Sequence, residues 1–458
     1  MTDQPETSDP TADLGTKLYW LALLAGLLTG LLGAGFHGLI DHVTAWRTAF
    51  VDGRYDESWI VRSLADCIAR TRVPLNVPVE TAARLLLLFL LVATALGLAR
   101  LLVRRFAPET SGSGVQEIEG YLLGLRQMRW PRILTVKFIG GGLALGAGFV
   151  LGREGPTVQM GGAAGLGIAA AGGCNRAQTR ALVAAGAGAG IAAAFNAPIA
   201  GALFVIEELR RASPYSFGGY HAVLIACVAA TLVTEVFAGV GPQLRLAIDP
   251  PALADYPLYI ALGVLLGAAG AVFNHLVLVT LDFLGAWSRR APTTLVLSLA
   301  LGLTALLWTM PLTTGGGEQI VPMLTAASPG FATLLLLLAV RTLATLLSYG
   351  AGAPGGIFAP ILALATLAGV TFAEAARLVL PDFALEPTAV AAAAMAALFT
   401  GSVRAPLVGV VLVAELTDAY SALVAVTLCS AVASLTAAAV GGKPLYELLL
   451  ERTLRLAR

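Results

Sequence analysis

Charge is what this sequence has least of. Asp, Glu, Lys and Arg together make up 12% of 458 residues, against 57% hydrophobic side chains, and the mean hydropathy is +0.81. A water-soluble fold could not hide that much apolar surface, so the chain reads as an all-α polytopic membrane protein. At roughly 20 residues per passage there is room for about ten or more passages but for no sizeable soluble domain. A net charge of +1 implies no polyanionic partner, which argues against nucleic acid. Cysteine is equally sparse: Cys67, Cys174, Cys227 and Cys429 stand singly, without a C-x-x-C spacing, and read as small core residues. Four histidines, of which His37 and His42 are the closest pair, offer no convincing ligand set, so neither metal nor cofactor is expected.

The chain opens on an acidic, proline-bearing tail, Met1 to Asp13, that lacks a basic n-region and a small-residue cleavage site. No cleaved leader is expected, and the apolar run Leu18 to Ile40 reads as a retained membrane helix. Residues 41 to 80 mix Arg with Asp and Glu and read as a loop outside the membrane. A second long helix, from about Thr81 to Val103, ends in Arg104 and Arg105, with Arg126, Arg129, Arg132 and Lys137 beyond it. The positive-inside rule makes that side cytoplasmic, and two crossings place the N-terminal tail there too. Beyond this point the apolar segments are short and interrupted by Gly and Pro. Such breaks are tolerated in lipid only where the freed backbone lines a cavity or is buried in protein, which describes a broken-helix transporter.

One such break carries a carboxylate, in Gly152-Arg153-Glu154-Gly155-Pro156. An ionisable side chain within a membrane usually faces a bundle interior or a watery pathway, which makes Glu154 a functional candidate. The other reading is an interfacial Arg153–Glu154 ion pair that anchors a helix end. The pentapeptide alone leaves both open.

The chain also resembles itself. Thr110-Ser111-Gly112-Ser113-Gly114-Val115-Gln116 returns as Thr313-Thr314-Gly315-Gly316-Gly317-Glu318-Gln319, about 203 positions later. Gly155-Pro156 corresponds to Ala359-Pro360 at an offset of 204, and Ala197-Pro198 with Glu207 corresponds to Ala405-Pro406 with Glu415 at 208. The reading is two repeats, about 81 to 212 and 290 to 420, of inverted topology, with a substrate site at their interface. An old duplication retained only for packing is the plainer alternative. Gly-rich turns that enter apolar helices present free N–H groups and positive dipole, which suits an anion. Ser113 faces Gly316, Glu154 faces Phe358 and Glu208 faces Leu416, whereas Glu207 has an acidic counterpart in Glu415. Residue types present in one half only are freer to be chemical, so Ser113, Glu154 and Glu208 are the candidates, and Glu207 and Glu415 are expected to be structural.

Four segments in order carry a specific resemblance: Gly112-Ser113-Gly114-Val115-Gln116, Gly152-Arg153-Glu154-Gly155-Pro156, Gly356-Ile357-Phe358-Ala359-Pro360, and Gly441-Gly442-Lys443-Pro444-Leu445-Tyr446. From about residue 18 to 453 the chain resembles the CLC family of chloride channels and transporters, most closely its prokaryotic proton/chloride exchangers. The resemblance implies a homodimer in an inner or plasma membrane, with both termini cytoplasmic and one anion pathway per subunit. It implies chloride held by the Ser113 and Tyr446 hydroxyls and by the Ile357 and Phe358 amides. Neutral donors suit passage, because a fixed cation would hold chloride too tightly.

The family's gating glutamate maps onto Glu154, whose carboxylate can take an anion's place and leave on protonation; the inner proton-transfer glutamate maps onto Glu208. An acid at each end favours secondary active exchange of chloride against protons. The alternative is a passive, voltage- or pH-gated chloride channel, with Glu154 only a gate. A membrane-embedded enzyme would need a nucleophile or metal set that the sequence does not offer. Gln116 departs from the family's proline, restoring an N–H and loosening the turn near Ser113. The chain ends 12 residues after Tyr446, so no nucleotide-sensing regulatory domain is expected.

Overall fold

The computed structural model describes residues 15–53, 78–209, 217–246, 248–326, 329–380 and 385–457. The N-terminal tail Met1 to Asp13, Cys67, the pair Arg210 and Arg211, and much of the polar stretch expected over 41 to 80 lie outside the described residues. What is described is almost entirely α-helical. In chain order the helices are α1 (Thr16–Val51), α2 (Val79–Phe106), α3 (Val115–Leu122), α4 (Trp130–Gly146), α5 (Glu154–Ala171), α6 (Arg176–Phe195), α7 (Pro198–Glu207) and α8 (Phe217–Ala238). The second half continues with α9 (Tyr256–Arg290), α10 (Pro292–Thr309), α11 (Ile320–Ala326), α12 (Phe331–Gly350), α13 (Phe358–Val379), α14 (Pro387–Val403), α15 (Pro406–Thr417), α16 (Leu423–Ala439) and α17 (Leu445–Ala457).

Helices α2 to α7 match α10 to α15 one for one, including a single 3-10 turn after the first member of each set, Pro108–Thr110 and Pro311–Thr313. Among the described residues, 8 helices are long and apolar enough to cross a membrane. The remaining apolar sequence goes into shorter pieces such as α7, α14 and α15. Broken segments thus replace some of the full passages that the composition has room for.

Two contacts fix the relative direction of the halves. Glu207 at the end of α7 accepts from the Leu407 and Val408 N–H groups at the start of α15, at 3.2 and 2.8 Å. Glu415 near the end of α15 returns the contact to Ile199 and Ala200 at the start of α7, at 3.1 and 2.7 Å. Each helix caps the other's N-terminus, so equivalent helices run antiparallel and the repeats are inverted. The expected structural role of Glu207 and Glu415 is thereby given a mechanism: each satisfies orphan N–H groups that lipid would not. Gly152 and Gly356, equivalent positions, likewise pair with each other in antiparallel fashion, with N–H···O distances of 2.9 and 2.6 Å.

The small residues serve close approach. Helices α5 and α6 touch backbone to backbone, and a Cβ on Gly161 would collide with the Gly186 carbonyl, as one on Gly186 would with that of Gly161. The flanking pairs α1–α8 and α9–α16 meet in the same way, Gly30 against the Ala230 carbonyl (2.8 Å from an added Cβ) and Gly263 against that of Cys429 (2.8 Å). In lipid, where apolar contact alone favours no partner, such intimate packing is what holds helices together. The innermost helices are α6 and α14, buried along Ala181–Phe195 and Ala389–Val403.

Two expectations need correction. Residues 41 to 51 are helix, not loop, because α1 runs unbroken to Val51. Arg47, read as loop charge, turns inward and donates to the Gly146 carbonyl at 2.6 Å, completing an orphan acceptor at the end of α4. Lys137 belongs to no interfacial basic cluster. It is fully buried in α4, and its Nζ donates to the Thr110 and Gly112 carbonyls at 2.9 and 2.6 Å. The other basic residues of that stretch include Arg126, paired with Glu117 at 2.9 Å, and Arg129, paired with Glu109 at 2.7 Å.

Candidate functional site

The breaks converge. The loop before α3 crosses the loop before α13, with the Gly112 N–H donating to the Ala353 carbonyl and the Gly355 N–H to that of Gly112, both at 3.0 Å. A few residues on, the Gly152–Gly356 pairing sets the start of α5 against the start of α13. Gly112 and Gly114 sit at φ +65° and +88°, the left-handed region where glycine is the least strained residue, and so turn the chain sharply into α3. Gly155 is required for a different reason: a Cβ there would lie 2.6 Å from Ser113 Oγ and 2.7 Å from the Gly356 Cα. The sequence thus brings Gly112-Ser113-Gly114, Gly152 to Pro156 and Gly356 to Pro360 into one place.

Glu154 is the first residue of α5 and is only 1% exposed. Its Oε1 accepts from the Phe358 N–H at 2.6 Å and the Ala359 N–H at 3.2 Å, the free donors at the start of α13. Oε2 has no partner among the described residues. The carboxylate is held by two neutral amides and a helix dipole, donors of the kind that suit a small anion. The Arg153–Glu154 ion pair is not made. Arg153 donates instead to Gln243 Oε1 at 2.8 Å and the Ala194 carbonyl at 3.3 Å, and pairs with Glu318 at 3.1 Å.

Next to this seat lie two hydroxyls. Ser113 Oγ stands 3.5 Å from Tyr446 Oη, and both side chains are fully buried. The Tyr446 ring leans on Phe358 at a centroid distance of 5.7 Å, and Phe358 is itself flanked by Phe399 at 4.8 Å and Phe204 at 6.1 Å. An aromatic wall with a few inward donors orients an ion without trapping it. Of the two amides expected to bind chloride, that of Phe358 donates to Glu154, and Ile357 is the residue just before α13. The second amide on the Glu154 carboxylate is that of Ala359.

Glu208 lies just past α7 and is half-buried. Gln116 is the second residue of α3, where a backbone N–H has no helical partner in any case. The Ser113 turn remains anchored by Gly112 and Lys137, so replacing proline costs it no backbone bond. Lys137 is the functional neighbour that sequence reasoning missed. The available signal was its equivalence to Arg341, 204 positions on, also fully buried.

A buried carboxylate held where two half-helices of inverted repeats meet, within a bundle of helices long and apolar enough to cross a membrane, fits a transport protein of the broken-helix class. The family model described as "Voltage gated chloride channel" matches residues 93–438. The H(+)/Cl(-) exchange transporter ClcA of Vibrio cholerae is 41% identical over 444 residues, 96% of this chain and 90% of that protein. The protein of the same name from Vibrio vulnificus is 40% identical over 445 residues, 96% of this chain and 90% of the other. Among solved structures, a slow cyanobacterial Cl-/H+ antiporter superposes with a TM-score of 0.85 at 36% identity, covering 96% of this chain and 99% of its own. A eukaryotic CLC transporter at 22% identity, TM-score 0.73, covering 95% of this chain and 73% of that one, shares the fold. The chain belongs to the CLC, or voltage gated chloride channel, family.

Proposed function

We propose that this chain is a secondary active antiporter that exchanges chloride against protons across a cell membrane, with the site just described as its ion pathway. The observation that carries the reading is the Glu154 carboxylate seated on the Phe358 and Ala359 amides. A carboxylate and a chloride compete for those donors, and a proton decides the competition, since a neutral carboxyl no longer satisfies an anion seat. Chloride rests on the Ser113 and Tyr446 hydroxyls with the Ile357 and Phe358 amides; Glu154 delivers protons at one face and Glu208 at the other. Relatives at 41% and 36% identity carry names for the same exchange. The pathway runs through each subunit of a homodimer in the inner or plasma membrane, with both termini cytoplasmic. Moving ions, rather than making bonds, is all that the residues of the site require.

The test uses purified protein in liposomes carrying a chloride gradient, with voltage clamped by a potassium ionophore and external pH recorded. Chloride is expected to drive protons uphill, and Glu154→Gln or Glu208→Gln to stop the protons while chloride flux persists. Chloride flux without proton movement in the unaltered protein would leave a passive channel in place of the exchanger.

A further inference from the structure

The Ser113 loop has an inverted counterpart in the second repeat that the pathway above does not use. Gly315 and Gly317 lie at φ +63° and +95°, against +65° and +88° at Gly112 and Gly114, so the two loops share a backbone shape. Behind each stands a fully buried cation from the next long helix, Lys137 of α4 and Arg341 of α12. Lys137 spends its donors on Thr110 and Gly112. Arg341 donates Nη1 to the Thr314 carbonyl at 2.8 Å, while its Nε and Nη2 have no partner among the described residues. Nη2 points at Gly317, where an added Cβ would come within 2.5 Å of it. A fully buried guanidinium with two unanswered donors is a costly arrangement that a nearby anion relieves.

The loop leaves two successive amide donors open. Among the described residues, the Gly316 and Gly317 N–H groups reach no backbone carbonyl, whereas the Thr314 carbonyl is taken by Arg341 and that of Gly317 by the Ile320 N–H at 3.0 Å. Successive N–H groups around left-handed glycines form an anion-binding concavity. The loop lines a cavity of about 310 Å³ that also reaches Gly152 and Arg153, beside Glu154. The acidic side chains on that cavity are Asp41, Asp52 and Glu318. Glu318 is paired with Arg153 at 3.1 Å, and Asp41 lies 3.0 Å from His37.

We propose that the Gly315-Gly316-Gly317 loop, backed by Arg341, is a second binding site for a small inorganic anion, where chloride is gathered before it meets Glu154. The choice of chloride rests on the transport reading above; the anion site does not. Position 316 has room for a side chain, with the nearest atoms to an added Cβ at 3.8 and 3.9 Å. Gly316→Asp places a like charge over the seat, and Gly316→Asn is its neutral match.

The experiment has two parts. Crystals of the full chain grown in bromide are expected to show anomalous density within hydrogen-bond distance of the Gly316 and Gly317 amides, absent in Gly316→Asp and present in Gly316→Asn. In liposomes, Gly316→Asp should raise the chloride needed on the Arg153 side for half-maximal flux by about fivefold, with the maximum retained and Gly316→Asn near the unaltered protein. Bromide at Ser113 and Tyr446 with none at Gly316 overturns the proposal, as does an equal effect of Asp and Asn. Bromide at Gly316 with none at Ser113 sinks the central chloride site instead and leaves this one standing.

Discussion

At the scale of single residues, what matters is how many neutral donors share an ion. Ser113 and Tyr446 each offer one hydroxyl, and removing one of a few equivalent donors weakens binding without abolishing it. Tyr446→Phe keeps the ring against Phe358 and loses only the O–H, so chloride affinity should fall by about 1 kcal/mol, roughly fivefold. Calorimetric titration with chloride reads it, and an unchanged affinity would remove Tyr446 from the site. Lys137 acts differently, because it touches carbonyls and no ion. In Lys137→Met the Thr110 and Gly112 carbonyls lose a buried donor, which costs about 1–3 kcal/mol. A lower thermal midpoint in detergent together with weaker chloride binding is expected, since the Ser113 loop is what the lysine holds. A lower midpoint with intact binding would make Lys137 a stabiliser only.

At the scale of elements, the reciprocal caps between α7 and α15 make a symmetric prediction. Glu207→Ala and Glu415→Ala each leave two helix N-terminal donors unanswered, at Leu407 and Val408 or at Ile199 and Ala200. Loss of a cap costs about 0.5–2 kcal/mol. The two variants should lower the unfolding midpoint by similar amounts and retain proton-coupled flux. Loss of coupling in Glu207→Ala alone would mean that this carboxylate carries protons as well as capping a helix.

For the whole molecule, the proposal of one pathway per subunit makes the subunits independent. A tandem fusion of two copies with Glu154→Gln in one half should lose about half of its chloride-driven proton flux, since a pathway within each subunit needs no residue of its neighbour. Complete loss would place the pathway between subunits and contradict the geometry, in which Ser113, Glu154, Phe358 and Tyr446 meet within one chain.

The membrane setting, the helical class, the inverted duplication and the positions of Ser113, Glu154 and Glu207 could be read from the sequence. Each follows from composition, or from comparing motifs that recur about 203 to 208 positions apart. The partners could not. Arg153 and Glu154 are neighbours in sequence and diverge in space, because the start of α13 offers Glu154 better donors than a guanidinium already committed to Gln243 and Glu318. Lys137 reads as one more interfacial cation until its burial against Thr110 and Gly112 is seen. That Ala359 joins Phe358 in holding Glu154 turns on where the first turn of α13 begins, which packing settles. Local chemistry is written along the chain, but which buried donor meets which acceptor depends on contacts between segments some 200 residues apart, such as Glu154 to Phe358, and only the closed tertiary structure fixes those.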